Sequence, residues 1–298
     1  MNTQSNALPE SFESQRIVPA TTSATRPFYW SVRRELWEYR SIYIAPLAGA
    51  AVALFGFLIA IFVLSAANAP QRRPVLQDPY GQAAALIMMA AFIVSIFYSL
   101  EALHSERRDR SILFWKSLPV SDLTTVLSKA SIPLLVLPLL SFVIVVATVV
   151  IMLLLHIVLL GSGVPIATPG TPMLAQMGLM LLYHLITVHV LWYAPFYGWL
   201  LLVSAWARRA AFLWAFLPPV AIGGIEKIAF NTTHFFDMLS YRFAGGGPES
   251  AGPDNFLDPM THFTPGRFLA SPGLWIGLLI TAACLAAAVR LRRYRGPI

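Results

Sequence analysis

Three histidines, His156, His184 and His189, stand inside long apolar stretches of a 298-residue chain. Buried imidazoles ligate haem or a metal ion when they converge on one point, usually with a carboxylate behind them. His184 and His189 are five positions apart, about 500° around an α-helix, which puts them on different faces. No acidic residue accompanies them, because residues 130–207 carry no charge at all. Neutral histidines hydrogen-bonded between helices are therefore expected. A membrane-embedded haem-binding protein or enzyme using His156, His184 or His189 is the alternative.

Glu101, His104 and Glu106 come nearest to a hydrolytic constellation, but they sit beside Arg107, Arg108 and Arg110 and fit a solvated cluster. Cys284 is the single cysteine, so the chain can form no disulfide with itself and no Cys-rich metal site. There is no G-x-x-x-x-G-K-[ST] phosphate loop. No cofactor and no enzymatic activity of the chain's own are expected. Glu226 and Lys227 interrupt an apolar run. A charge at mid-bilayer costs on the order of 3 kcal/mol, so the pair either marks the emergence of a helix or faces a pathway or partner helix.

The elements that would position these residues are membrane spans. The chain is 57% hydrophobic and 12% charged, half the charge of an ordinary soluble domain. Crossing the hydrocarbon core takes roughly 20 apolar residues. The charge-free runs give six spans, at about 42–67, 80–103, 130–160, 173–206, 210–230 and 268–289. The turn-forming stretch 161–172 (GSGVPIATPGTP) divides the longest run into a hairpin. Prolines 46, 133, 138, 195, 218 and 219 fall within or beside spans and permit kinks. The fold class expected is an all-α membrane protein.

Sixteen of the 21 Lys and Arg residues fall on one side of this plan and five on the other. The side with sixteen is expected to be cytoplasmic and to hold both termini. The net charge of +7 is then loop arginine, with no nucleic-acid partner implied. Residues 1–26, rich in Ser, Thr, Asn and Gln, read as a disordered cytoplasmic tail.

Residues 27–40 (PFYWSVRRELWEYR) repeat Trp30, Arg33/Arg34 and Trp37 at helical spacing. They predict an amphipathic helix on the cytoplasmic membrane face, in contact with lipid and bending into the first span near Pro46. The connection 104–129 is longer than a bare connector needs to be. It displays Ile112, Leu113, Phe114, Trp115 and Leu118 after a charge cluster, then Pro119, and Ser121–Asp122 as the N-cap of a further helix. Aromatic residues in such a loop call for a lipid surface or a partner to cover them.

These features resemble the membrane-spanning permease subunit of a type-2 ATP-binding-cassette (ABC) exporter. The resemblance is carried by Arg34-Glu35-Leu36-Trp37-Glu38 with Pro46, by Glu106-Arg107, Ser111-Ile112-Leu113, Leu118-Pro119-Val120-Ser121 and Lys129, and by the six-span plan. It implies a multi-pass protein of the bacterial cytoplasmic (inner) membrane, in which the 104–129 loop forms a coupling helix. Glu106, Arg107, Ser111, Ile112, Leu113, Phe114, Trp115, Leu118 and Pro119 would then dock on a separate ABC ATPase subunit. Arg33, Arg34, Glu35 and Trp37 would form the interfacial helix that also touches it. Two ATPase copies and a second permease subunit, identical or different, would complete the exporter. The resemblance also implies short re-entrant helices in the last outer loop, for which 255–264 is the candidate.

Overall fold

A computed structural model describes residues 25–66, 79–117, 120–159, 171–243 and 265–295. Residues 1–24 of the expected tail, 161–170 of the expected turn 161–172 and the candidate re-entrant segment 255–264 lie outside the described residues, as do Leu118 and Pro119; Thr25 and Arg26, expected in the tail, already belong to the first helix. Among the described residues the chain is helical and contains no strand. Five helices are long and apolar enough to cross a membrane, and a bent pair makes a sixth.

Helix α1 (Thr25–Glu38) ends two residues before α2 (Ser41–Ala66) begins. The break falls at Tyr39–Arg40, where Ile42 N–H donates to the Tyr39 carbonyl. Pro46 lies inside α2 instead of marking the bend. Helix α3 (Pro79–Glu101) leads into two short helices, α4 (His104–Arg108) and α5 (Ser111–Ser117). Helix α6 (Asp122–Ser131) starts on Ser121, whose hydroxyl accepts from Thr124 N–H at 3.0 Å. This is the cap that the sequence predicts. The helix passes through a π-helical turn at Ile132–Val136 into α7 (Leu137–Leu159).

The next crossing is broken. Helix α8 (Thr171–His184) continues as π-helix over Leu185–Trp192, and α9 (Ala194–Trp206) leaves at 42°. Pro195 has no N–H for the Leu191 carbonyl, so the hydrogen-bond ladder fails there. Helix α10 (Ala211–Phe230) runs on through Glu226 and Lys227, as expected for a span that would otherwise be short. Helix α11 (His234–Phe243), α12 (Pro265–Ala270) and α13 (Pro272–Tyr294) follow.

Helices α9 and α13 pack closely. A Cβ on Gly198 would stand 3.2 Å from the Thr281 backbone, so a glycine is what allows the approach. The core lies in clusters along the bundle. At the end rich in arginine, Ile42, Tyr98, Leu103, Val126, Ile132, Leu201 and Ala288 pack together. Toward the opposite end, Phe57, Tyr80, Ile87, Val145 and Met152 form a second cluster. Many of the remaining apolar side chains, such as Phe55, Phe62, Val143, Ile228 and Leu279, point outward and are exposed. An apolar rim around a bundle is what a lipid-facing surface requires.

Candidate functional site

At the arginine-rich end, five elements converge on one buried ionic network. Glu35 of α1 is wholly buried (0%), as are Glu106 of α4, Lys129 of α6 and Arg292 of α13 within a few per cent. Lys129 Nζ lies 2.9 Å from Glu35 Oε1 and 3.1 Å from Glu106 Oε1. Arg34 Nη2 pairs with Glu35 and, at 3.1 Å, with Glu106 Oε1. Arg292 Nη1 pairs with Glu106 Oε2, and its Nε lies 3.1 Å from Asp122 Oδ1. Tyr98 of α3 donates its hydroxyl to Glu35 Oε2 at 2.8 Å.

Three cations (Arg34, Lys129, Arg292) thus face three carboxylates (Glu35, Glu106, Asp122), with the exposed Glu38 a fourth at the rim, 3.8 Å from Arg34 Nε. The balance matters because an unpaired buried ion is prohibitively costly. Burial pulls the Arg34 guanidinium toward its neutral form, but the carboxylates of Glu35, Glu106 and Glu38 outweigh it and hold its pKa above the ordinary value. Next to the network, Tyr39 and Ser105 share a hydrogen bond of 2.9 Å between their hydroxyls. Burial, with Glu35, Glu38 and Glu101 nearby, pushes the Tyr39 phenol up despite the Ser105 bond.

Helix α5 hangs from this network. The Arg34 guanidinium stacks on the Trp115 ring at 3.8 Å, a contact of about 0.5–2 kcal/mol. Ile112 is buried and anchors the helix from below. Ser111 donates its hydroxyl to the Glu106 carbonyl at 3.4 Å. Leu113 and Phe114 project away and stay 58% and 61% exposed. The residues expected to dock therefore divide by direction. Leu113 and Phe114 face outward and Trp115 lies beneath Arg34, while Glu106, Arg107 and Ile112 face the bundle.

Arg107 has a structural task of its own. Its Nη1 donates to the Ala205 carbonyl at 2.7 Å and to the Ala207 carbonyl at 3.3 Å. Arg295 donates to the Trp206 carbonyl at 2.9 Å. These are the orphan carbonyls at the C-terminus of α9, where cations are also favoured by the helix dipole.

Helix α1 has two faces. Glu35 points into the network, with Val32 and Leu36 packed on the core beside it. On the other face Arg33 sits between Trp30 and Trp37, 5.1 and 5.0 Å from the two rings. Both tryptophans are exposed, at 58% and 72%. The aromatic–cationic spacing in the sequence marks the outward face but gives no sign that Glu35 is the most buried acid of the chain end.

Glu226 and Lys227 lie at the opposite end. The Glu226 carboxylate accepts from Thr232 Oγ1 at 2.8 Å, His234 N–H at 2.8 Å and Phe235 N–H at 2.9 Å. It caps the N-terminus of α11, while Lys227 is exposed. The histidines depart from the expected geometry. His184 and His189 share a face, with ring centroids 5.7 Å apart. The π-helical stretch takes more residues per turn than an α-helix, so positions five apart come into line. His189 also stacks edge-on to Tyr193 at 5.5 Å. His156 is buried, and neither of its ring nitrogens has a hydrogen-bond partner. No group of three or more His, Cys, Asp or Glu side chains among the described residues converges on a point that would hold a metal ion.

Lys129, Arg292, Tyr98 and Asp122 are the members of the network that the sequence does not single out as a site. Their partners are up to 186 positions away; Lys129, Arg292 and Asp122 stand near the edges of apolar runs, where a charge ordinarily marks the solvated end of a span, and Tyr98 lies within one. No protein-family model, curated protein or solved structure matches the chain.

Proposed function

We propose that the chain is the permease subunit of an ATP-driven ABC exporter, lacking ATPase activity of its own and gripped by a separate ATPase subunit at α5. The observation that carries this reading is the exposed Leu113–Phe114 pair on a short helix whose other side is fixed by Ile112, by Trp115 under Arg34, and by Glu106. An apolar pair in a solvent loop is unfavourable unless a partner covers it, and a rigid mount lets a push on it reach the bundle.

The mount has a defined reach. Displacing α5 pulls on Arg34 through Trp115 and on the α4 segment that carries Glu106. Those residues hold α1, α6 and α13 through Glu35, Lys129 and Arg292. Helix α1 lies at the cytoplasmic face with Trp30, Arg33 and Trp37 toward lipid headgroups. Two such subunits, identical or different, enclose the pathway, and two ATPase subunits drive them. Both termini are cytoplasmic, in the bacterial inner membrane. The sparse charge of the spans favours an apolar or amphipathic cargo.

Purification of the chain with the product of a neighbouring ATPase gene tests the assignment. A stable complex whose ATPase rate depends on Leu113 and Phe114 supports it; an ATPase that neither binds nor responds refutes it. The facing pair His184 and His189 is the one observation that favours haem or metal binding instead. A Soret band or a stoichiometric metal ion in the purified protein would establish that second function.

A further inference from the structure

Helix α11 is attached almost entirely by its two ends. It has 10 residues, and none of them is buried. A helix this short is marginal alone in water, so its position depends on the contacts at its termini. The N-terminus rests on the Glu226 carboxylate. Beside that cap, Phe236 lies against Gly223 of α10, where an added Cβ would meet the ring at 2.3 Å.

The C-terminus is held by a reciprocal exchange with the broken crossing. Trp192 Nε1 donates to the Arg242 carbonyl at 2.8 Å, and the Tyr193 hydroxyl donates to the Phe243 carbonyl at 2.8 Å. Both are orphan carbonyls of the last turn of α11. In return Arg242 Nε donates to the Trp192 carbonyl at 3.3 Å, and Nη1 donates to the Gly273 carbonyl at 3.1 Å. The Trp192 carbonyl is free because Phe196 N–H turns back to Tyr193. The guanidinium also stacks on the Trp192 ring at 4.5 Å. Each partner thus satisfies backbone groups that the other's helix end leaves open.

Arg242 itself makes this attachment breakable. No carboxylate pairs with it among the described residues, and its Nη2 is buried without a hydrogen-bond partner. Burial lowers its pKa from the ordinary arginine value. The guanidinium fits only because α13 carries glycine at 277, where a Cβ would stand 1.8 Å from Nη2. The latch is therefore a cation that donates two hydrogen bonds to neutral acceptors, beside two bonds that Trp192 and Tyr193 donate to the end of α11.

We propose that α11 is a hinged lid over the bend at Tyr193, pivoting on the Glu226 cap and latched by Arg242 against Trp192 and Gly273. Released, it uncovers Trp192, Tyr193 and Phe196 at the point where the crossing bends. The lid does not depend on the permease assignment, and its test reads α11 directly.

The test is amide hydrogen exchange on the full-length protein in lipid nanodiscs, comparing wild type with Arg242→Gln and Gly277→Ala. Gly277→Ala leaves the arginine in place and evicts its guanidinium, the movable end of a long side chain; its Cβ also meets Pro195 Cγ of α9 at 3.0 Å, so the protection of α9 is judged on Arg242→Gln. Both variants are expected to raise exchange across 234–243 on the order of tenfold or more, the effect of losing hydrogen bonds made by a charged donor. The amides of α9 and α13 should stay protected. Glu226→Gln should raise exchange only in the first turn of α11. Unchanged exchange of α11 in both Arg242→Gln and Gly277→Ala would overturn the latch. Equal loss of protection in α9, α11 and α13 would show that α11 has no independent motion and would overturn the lid.

Discussion

Lys129 Nζ lies 2.9 Å from Glu35 Oε1, joining residues 94 positions apart, and both side chains are closed to solvent. The pair ties α1, which precedes the first crossing, to α6, which leads into the third. Its neighbours extend the tie to α4 and α13. Whatever moves α1 or α4 must move these carboxylates together with their cations.

Removing one member of the network strands the others. Lys129→Met leaves Arg34 as the one cation bridging Glu35 and Glu106 and puts one carboxylate of the network in excess. A loss of about 3–5 kcal/mol in stability is expected, because breaking a buried pair leaves an uncompensated charge. Thermal unfolding in detergent measures it. The double variant Lys129→Met with Glu35→Gln should lose less than the sum of the two single changes, since the second removes the excess negative charge that the first had created.

Leu113→Ala with Phe114→Ala should leave the fold untouched. Both side chains are exposed, and exposed positions shift stability by roughly 0.5 kcal/mol or less. The unfolding temperature of the purified subunit should match wild type, while stimulation of the partner's ATPase is lost. Retained stimulation would count against docking through this pair.

Trp115→Ala should lower stability by about 0.5–2 kcal/mol through loss of the stacked Arg34 contact, and it should also weaken coupling. Trp115→Phe keeps a ring face beneath the guanidinium and should recover most of both. A cross-link between positions on α1 and α5 would report the separation of the two helices directly.

Tyr39 supplies a pH dependence. Its phenol is raised above its ordinary value by burial and by nearby carboxylates, so folding favours the neutral form. Its contribution is fully present below the unfolded value, about 10, and declines as the pH rises from there toward the higher folded value. Stability of the wild type should therefore fall more steeply above about pH 10 than that of Tyr39→Phe. Equal slopes would contradict this.

The crossings were legible because their signal is local. Charge-free runs bounded by arginines give α2, α3, α7, α10 and α13 directly, and Ser121 announces the start of α6 by ordinary capping chemistry. The extension of α10 through Glu226 and Lys227 follows from the minimum length of a crossing. The network was not legible because it is assembled from residues such as Glu106 and Arg292, whose pairing depends on how four crossings pack. A lone glutamate or lysine at the end of an apolar run looks the same whether it meets water or a partner. The shared face of His184 and His189 was hidden for a different reason: nothing in Leu185–Trp192 distinguishes a π-helical stretch from an α-helical one. The placement of α11 is not legible in the sequence because its anchors, Trp192 and Gly273, stand far from it in the chain.

A photo-activatable phenylalanine analogue placed at position 114 in living cells tests most directly whether α5 is a handle gripped by a partner. Irradiation followed by mass spectrometry of the adduct is expected to identify an ABC ATPase, with the yield changing when ATP is depleted. An adduct to lipid alone, or capture of a protein located outside the cytoplasm, would contradict it.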